Sequence, residues 1–126
     1  MQPLVSHHTG RALIIEDELD ICYLLKGILR YNNIQADYVN SLGEADIALT
    51  TITPSIVFLD NHLSDGLGVN YINRVKSRFP TTKVIMITAH DTQADRDRAY
   101  REGVDMFIGK PFTREIIINA IQSVQL

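Results

Sequence analysis

The stretch Ser55-Ile56-Val57-Phe58-Leu59-Asp60 decides the fold of this chain of 126 residues. Residues 56–59 form a continuous apolar run, and the acidic Asp60 ends it. A short apolar run without polar alternation is typical of a strand that is buried on both faces of a parallel sheet. Because open parallel sheets bind their ligands beyond the carboxyl ends of the strands, Asp60 stands where a functional side chain is expected.

Four further strand-like segments and five helix-length segments flank this stretch. The strand-like segments cover residues 12–15, 84–87 and 104–108, and a weaker alternating one at 34–39 is expected near a sheet edge. The helical segments cover residues 19–31, 41–50, 68–78, 92–102 and 113–124. Short buried strands that alternate with helices predict a parallel sheet with helices on both faces and right-handed crossovers.

Residues that typically begin or end helices support these helix limits. Ser41 is followed three residues later by Glu44, the pattern of a capping box. Pro80 stops the third helix, and Gly103 closes the fourth as a C-terminal cap.

Composition narrows the function classes. The chain is 45% hydrophobic and 21% charged, which is ordinary for one soluble globular domain, and its net charge of -3 argues against direct nucleic-acid binding. No apolar run is long enough for a membrane span, and residues 1–10 are expected to be a flexible tail rather than a signal peptide, leaving 11–126 as the domain. Cys22, the single cysteine, excludes an internal disulfide and favours a buried structural role in a reducing compartment, the cytoplasm.

Polar residues follow four of the predicted strands. Residues 16–18 are Glu-Asp-Glu after the first strand, Asp60 ends the third, Thr88 ends the fourth, and Lys110 follows the fifth. In a doubly wound sheet these ends converge, and carboxylates about 4 Å apart repel by about 4 kcal/mol at an effective dielectric of about 20. Mg²⁺ relieves such repulsion, since it prefers oxygen ligands. Each residue taken alone has a plain structural explanation, such as an acidic turn that caps a helix, but the set predicts a metal-assisted phosphoryl site.

At these positions the chain resembles the receiver domains of two-component response regulators. The segments that carry the resemblance are Ile14-Ile15-Glu16-Asp17-Glu18, Ile56-Val57-Phe58-Leu59-Asp60, Met86-Ile87-Thr88-Ala89 and Lys110-Pro111-Phe112, together with Leu63 and Gly68. The resemblance covers the chain from about Ala12 to the end. It implies a flavodoxin-like, doubly wound (βα)5 fold of the α/β class, with a five-stranded parallel sheet in the order 2-1-3-4-5.

The resemblance also implies an acceptor and a metal site. Asp60 would take a phosphoryl group from a sensor histidine kinase or a histidine phosphotransfer protein. Mg²⁺, or Mn²⁺ in its place, would be bound by Asp17, by Asp60 and by the backbone carbonyl of His62, with Glu16 acting through water. The domain would not be an enzyme for other substrates, because it would catalyse only its own phosphorylation and dephosphorylation.

Further implied roles concern the switch. Thr88 and Lys110 would bind the phosphoryl oxygens, and the rotamer of Phe107 would report the state of Thr88. The Lys110–Pro111 peptide bond would be cis.

For three further residues we predict effects on the lifetime of the phosphoryl group or on dimerisation. His62 and His90, each two residues after a site residue, are expected to flank the phosphoryl group and to change its exposure to water. Ile118 is expected in a homodimer contact through the fourth helix, fifth strand and fifth helix.

The chain departs from the family pattern at three places. Glu16 replaces the commoner Asp, Ser64 stands where Pro is frequent, which predicts a looser loop, and Leu67 stands where a polar residue is frequent. The alternatives that remain open are a degenerate receiver that acts as a docking module, a phosphatase of the haloacid dehalogenase type and a flavodoxin-like binding module. The second normally has its nucleophile at the first strand with an Asp two residues later, and the third favours Ser/Thr/Gly-rich loops over an acidic one.

Overall fold

Residues 10–124 are described by a computed structural model, and they contain one parallel sheet of five strands. The strands are β1 (Arg11–Ile15), β2 (Gln35–Val39), β3 (Ile56–Asp60), β4 (Lys83–Thr88) and β5 (Met106–Gly109). Their order is β2-β1-β3-β4-β5 and every neighbouring pair is parallel, as the sequence and the resemblance predicted. The predicted tail lies, apart from Gly10, outside the described residues.

The helices lie on both faces of this sheet. They are α1 (Leu19–Tyr31), α2 (Leu42–Ala48), α3 (Ile72–Arg78), α4 (Gln93–Arg101) and α5 (Arg114–Ser123). Two hydrophobic clusters result, one beneath α1 and α5 and one beneath α2, α3 and α4. Strand β3 serves both, because Ile56 and Phe58 pack into the first cluster while Val57 and Leu59 pack into the second. This two-sided burial explains the uninterrupted apolar run.

Two element limits differ from the prediction. The segment predicted as one helix over 68–78 is a 3₁₀ turn at Gly68–Asn70 followed by α3. The amide of Tyr71 donates to the carbonyl of Gly68, three residues earlier, so this first turn is 3₁₀ and the regular helix begins later. The fifth strand begins at Met106 rather than at Val104, because Gly103, with a φ of 104°, turns the chain after α4.

Side-chain caps fix the helix starts that the sequence marked. The Ser41 hydroxyl accepts a hydrogen bond from the Glu44 amide at 3.1 Å. The Glu44 carboxylate reaches back to the amide of Asn40, one residue before the position that a capping box would use. Thr92 and Thr113 cap α4 and α5 in the same way as Ser41.

Cys22 is fully buried beneath α1, which confirms its predicted structural place. Burial raises the pKa of its thiol to about 11, so the side chain stays protonated at neutral pH and is a poor nucleophile. In the range 10–124, none of the helices is long and apolar enough to cross a membrane.

Candidate functional site

The carboxyl ends of four strands bring together the side chains that the sequence singled out. Glu16 follows β1, Asp60 ends β3, Thr88 ends β4 and Lys110 follows β5. In the centre of the sheet Asp60 pairs in register with Ile87, the residue before Thr88. The predicted convergence is therefore present, with the acceptor candidate on the central strand.

Three carboxylates form an oxygen cluster at this edge. One oxygen each of Glu16, Asp17 and Asp60 lies within 4.8 Å of the other two, with Glu16 and Asp60 buried and Asp17 exposed. Such an all-oxygen donor set suits a hard divalent cation that keeps part of its water shell. The residues present therefore fit Mg²⁺ or Mn²⁺.

Lys110 supplies the positive charge beside this cluster. Its ammonium nitrogen lies 2.8 Å from carboxylate oxygens of Glu16 and of Glu18, and 3.8 Å from an oxygen of Asp60. Only 11% of the Lys110 side chain is exposed, against 3% for Glu16 and 6% for Asp60. The ammonium is thus held within reach of the acceptor candidate in a poorly hydrated environment, where its charge acts strongly.

The acidic run is only partly solvated, because Asp17 and Glu18 are exposed while Glu16 is buried. Glu18 precedes the first residue of α1, yet its side chain makes no capping hydrogen bond and contacts Lys110 instead. Glu16 is buried, and its carboxylate accepts a hydrogen bond from the Glu18 amide. The pairing of Glu18 with Lys110, 92 residues away in the chain, was not predicted. The position of Glu18 in the acidic run was its only local signal.

Burial raises the pKa of both buried carboxyl groups, because the nearby positive charge does not fully offset it. Burial raises the pKa of Glu16 from 4.5 to about 7, the Asp60 charge adds to this, and the hydrogen bond from Lys110 opposes it. Burial also raises the pKa of Asp60, although the Lys110 charge and the His62 amide act in the other direction. The site therefore favours the binding of a further positive charge.

A pH dependence follows for the metal-free protein. Because the pKa of Glu16 is higher in the folded than in the unfolded state, its proton stabilises the fold fully below about pH 4.5, and this contribution is lost as pH rises through about 7. We expect the free energy of unfolding in chelator to fall by about 2 kcal/mol between about pH 5 and about pH 8.

Urea titrations of wild type and Glu16→Gln measure this difference. The variant removes the titrating group but keeps its shape, so its curve is expected to be flatter over the same window. An equal fall in the free energy of unfolding with pH in the two proteins would contradict the assignment to Glu16.

Backbone contacts fix the end of β3. The backbone amide of His62 lies close enough to the Asp60 carboxylate to lower its pKa. A Cβ atom on Gly68 would lie 2.2 Å from the carbonyl oxygen of Asp60 and 3.0 Å from Cγ of Leu59. Glycine is therefore required at position 68 for the close approach of the 3₁₀ turn to the acceptor candidate.

Thr88 connects the fourth and fifth strand ends. Its side chain is fully buried, and its hydroxyl oxygen accepts a hydrogen bond from the His90 amide at 3.1 Å. Its carbonyl accepts one from the Lys110 amide at 2.8 Å. The Lys110–Pro111 peptide bond is cis, as the resemblance implied.

Phe107 and the two histidines occupy defined positions. Phe107 is buried, with the Arg96 guanidinium 4.9 Å above its ring, and Arg96 is itself paired with Asp91 in the loop after β4. The rings of His62 and His90 contact each other, with centroids 3.8 Å apart and planes tilted by 34°. The sequence predicted two imidazoles near the site, but it did not predict their mutual contact or the Asp91–Arg96 pair.

On the surface of α4, β5 and α5, Ile116 is more exposed than Ile118, whose expected homodimer contact stays a prediction. Ile118 is partly buried against the core cluster beneath α1 and α5. Ile116, in contrast, is 42% exposed and lines a groove of about 370 Å³ together with Arg96 and Phe107. Ile116, two residues before Ile118, therefore lies on the side of α5 that faces β5.

Comparison with known proteins identifies the family. The model of the response regulator receiver domain matches residues 12–122 of the chain. The chain belongs to this family. Membership decides against the phosphatase and flavodoxin-like alternatives, and it places this receiver domain in two-component signal transduction.

Relatives of the receiver domain agree with this result. The phosphate regulon transcriptional regulatory protein PhoB of Escherichia coli is 30% identical over 116 residues, which are 90% of this chain and 51% of that protein. The receiver domain thus spans about half the length of the curated relatives it matches.

Two solved structures show the same fold. A two-component response regulator from Clostridium difficile superimposes with a TM-score of 0.86 at 25% identity, covering 92% of this chain and 95% of that one. The beryllofluoride-activated NtrC4 receiver domain dimer gives a TM-score of 0.85 at 31% identity, covering 90% and 94%.

Proposed function

We propose that this receiver domain accepts a phosphoryl group on Asp60 from a phosphohistidine of a sensor histidine kinase or a histidine phosphotransfer protein in the cytoplasm. The observation that carries the proposal is the buried Asp60 carboxylate on the central strand, which has oxygens of Glu16 and Asp17 within 4.8 Å and the Lys110 ammonium at 3.8 Å. A carboxylate oxygen attacks phosphorus, an acyl phosphate bond forms, and the P–N bond breaks with its electron pair left on the histidine nitrogen.

Asp17, Asp60 and the His62 carbonyl would hold Mg²⁺ or Mn²⁺, with Glu16 beside them. When bound, the metal neutralises charge that builds up on the phosphoryl oxygens. Lys110 lies close enough to Asp60 to contact one of these oxygens. We further propose that the Thr88 hydroxyl gives up the hydrogen bond that it accepts from the His90 amide and donates one to a phosphoryl oxygen instead.

This exchange would reach the surface through the loop after β4. Asp91 in that loop pairs with Arg96 of α4, and Arg96 covers Phe107 of β5. A shift of Thr88 and His90 therefore acts on the face of α4, β5 and α5. We propose this face as the partner or homodimer surface, with Ile116 in the contact; the NtrC4 receiver domain is a dimer by its description.

Intact mass spectrometry tests the acceptor. The protein is incubated with a small-molecule phosphodonor, with and without Mg²⁺, beside Asp60→Asn and the control Asp37→Asn, which changes an exposed aspartate paired with Arg11. We expect one labile phosphoryl group in wild type and in the control, dependent on Mg²⁺, and none in Asp60→Asn. Absence of a gain in folded, Mg²⁺-binding wild type would favour a degenerate docking module, and a gain in Asp60→Asn would place the acceptor elsewhere.

The histidine pair is expected to protect the acyl phosphate. The His90 amide donates a hydrogen bond to Thr88, the His62 amide lowers the pKa of Asp60, and the two histidine rings contact each other. Replacing either ring by alanine breaks the stack and admits water, so the phosphoryl group should be lost severalfold faster. The decay of the phosphorylated mass measures this rate; unchanged decay in both variants across neutral pH would contradict the idea.

A further inference from the structure

The loop that follows Asp60 is a short hairpin rather than the looser segment predicted from Ser64. His62–Leu63 pairs antiparallel with Gly66–Leu67, in the register His62 to Leu67 and Leu63 to Gly66. Ser64 and Asp65 form the turn between them. The hairpin carries the His62 carbonyl, so its position affects the proposed metal site.

Asp65 fastens the tip of this hairpin to a different element. Its two carboxylate oxygens accept hydrogen bonds from the amides of Leu42 and Gly43, each at 2.9 Å. These amides belong to the first turn of α2, whose third amide, that of Glu44, is bound by the Ser41 hydroxyl. Asp65 thus completes the capping of α2 with a side chain that is 22 and 23 residues further along the chain.

The base of the hairpin is fixed by separate contacts. The Asn61 carbonyl accepts from the Gly68 amide at 2.8 Å, and its side-chain oxygen accepts from the Val69 amide at 2.9 Å. Base and tip are therefore both tied down, the base by the chain around Asp60 and the tip by α2. The two amides, that of Leu42 first, also hold the pKa of the Asp65 carboxyl below its usual range, so the clasp is charged at neutral pH.

We propose that Asp65 is a positioning residue for the metal site, which holds the hairpin against α2 and thereby fixes the His62 carbonyl beside Asp60. The inference rests on the proposed function of Asp60 and adds a residue to it. A side chain that orients a ligand without touching the metal typically changes metal affinity by about tenfold to a hundredfold.

Ser64 offers an independent way to stiffen the same turn. Among residues 10–124 a positive φ occurs at Asn33, Gly66 and Gly103, so the φ of Ser64 is negative, which is one condition that proline sets. Proline at the first central position of a turn limits the conformations of the free loop. Ser64→Pro is thus expected to compensate for the loss of the clasp without restoring its charge.

Calorimetric Mg²⁺ titration of the whole chain tests the proposal. The variants are Asp65→Ala, Asp65→Asn and the control Glu44→Ala, which removes a charge of the same sign and a contact at the start of the same helix, but on Asn40 rather than on the hairpin. We expect Mg²⁺ affinity to fall about tenfold in Asp65→Ala, less in Asp65→Asn and less than twofold in the control. An unchanged affinity in Asp65→Ala, or an equal fall in the control, would overturn the proposal.

The double variant Ser64→Pro/Asp65→Ala separates the effect of hairpin position on Mg²⁺ affinity from the effect of the Asp65 charge. Recovery of most of the lost affinity would support positioning, whereas affinity as low as in Asp65→Ala would show that the carboxylate acts through its charge and would overturn it. Amide hydrogen exchange of metal-free protein gives a second readout: exchange at Leu42, Gly43 and residues 61–69 should rise in Asp65→Ala, and no rise would overturn the clasp. Failure of wild type to bind Mg²⁺ would refute the proposed function instead, while the exchange result would still decide the clasp.

Discussion

Lys110→Met is expected to slow Mg²⁺-dependent phosphorylation of Asp60 by about a hundredfold, the usual effect of removing a charged donor from a developing phosphoryl or oxyanion site. The same change leaves Glu16 and Asp60 buried without their ammonium partner. Breaking a buried ion pair on one side costs about 3 kcal/mol or more. We therefore also expect lower stability in chelator, part of which Mg²⁺ should restore because the cation replaces the lost charge.

A matched lysine separates these two effects. Lys76 is half-buried and paired with Asp105, whose carboxylate also accepts from the amide of Val84 at the start of β4, the opposite end of the strand from Thr88. Lys76→Met should lower stability and leave the phosphorylation rate of the folded protein unchanged. Urea titration and the time course of mass gain measure both quantities; an equal loss of rate in the two variants would contradict the role of Lys110.

Gly68→Ala is expected to destabilise the domain by about 3 kcal/mol, since its Cβ would overlap the Asp60 carbonyl oxygen and crowd Leu59. Both neighbours belong to the central strand, so relief requires a shift of the acceptor's own peptide unit. We expect phosphorylation to fall at least tenfold even at temperatures where the variant is folded.

Gly27→Ala is the control for this substitution. Gly27 lies within α1, and a Cβ there would meet nothing within 4 Å. Alanine should stabilise the helix by about 0.5 to 1 kcal/mol and leave phosphorylation unchanged. Comparable destabilisation of both variants in thermal unfolding would show that contact with Asp60 is not the cause.

The sequence correctly predicted the elements whose residue pattern follows from the burial of that same segment. The apolar run 56–59 is continuous because both sheet faces are covered, and the edge strand β2 alternates because one face is less buried. The strand-end residues Glu16, Asp60 and Thr88 could be placed together because a parallel sheet aligns its carboxyl ends.

The remaining features depend on partners that are distant in the chain. No residue near Glu18 predicts its contact with Lys110. No residue near Asp65 predicts that its carboxylate binds the amides of α2. The predicted start of α3 was wrong because the Tyr71 amide bonds to the Gly68 carbonyl in a 3₁₀ turn, which helical periodicity does not distinguish from an α-helical one.

The face of α5 shows a related limit. Helical spacing correctly separated the buried Ile117 from its neighbours, but it could not say which neighbour faces β5. Ile116 does so while Ile118 packs against the core, and this depends on how α5 is rotated over the sheet.

The site is assembled from residues of four strands. Its carboxylates, hydroxyl and ammonium come from four strands, and each contact between them, such as that of Glu18 with Lys110, closes a long loop of chain. A molecule with β3 out of register lacks the acceptor, and one with β5 out of register lacks the counter-charge. With Asp60 as the proposed acceptor, the phosphorylated fraction in saturating donor would therefore count the molecules in which β3 and β5 are both in register.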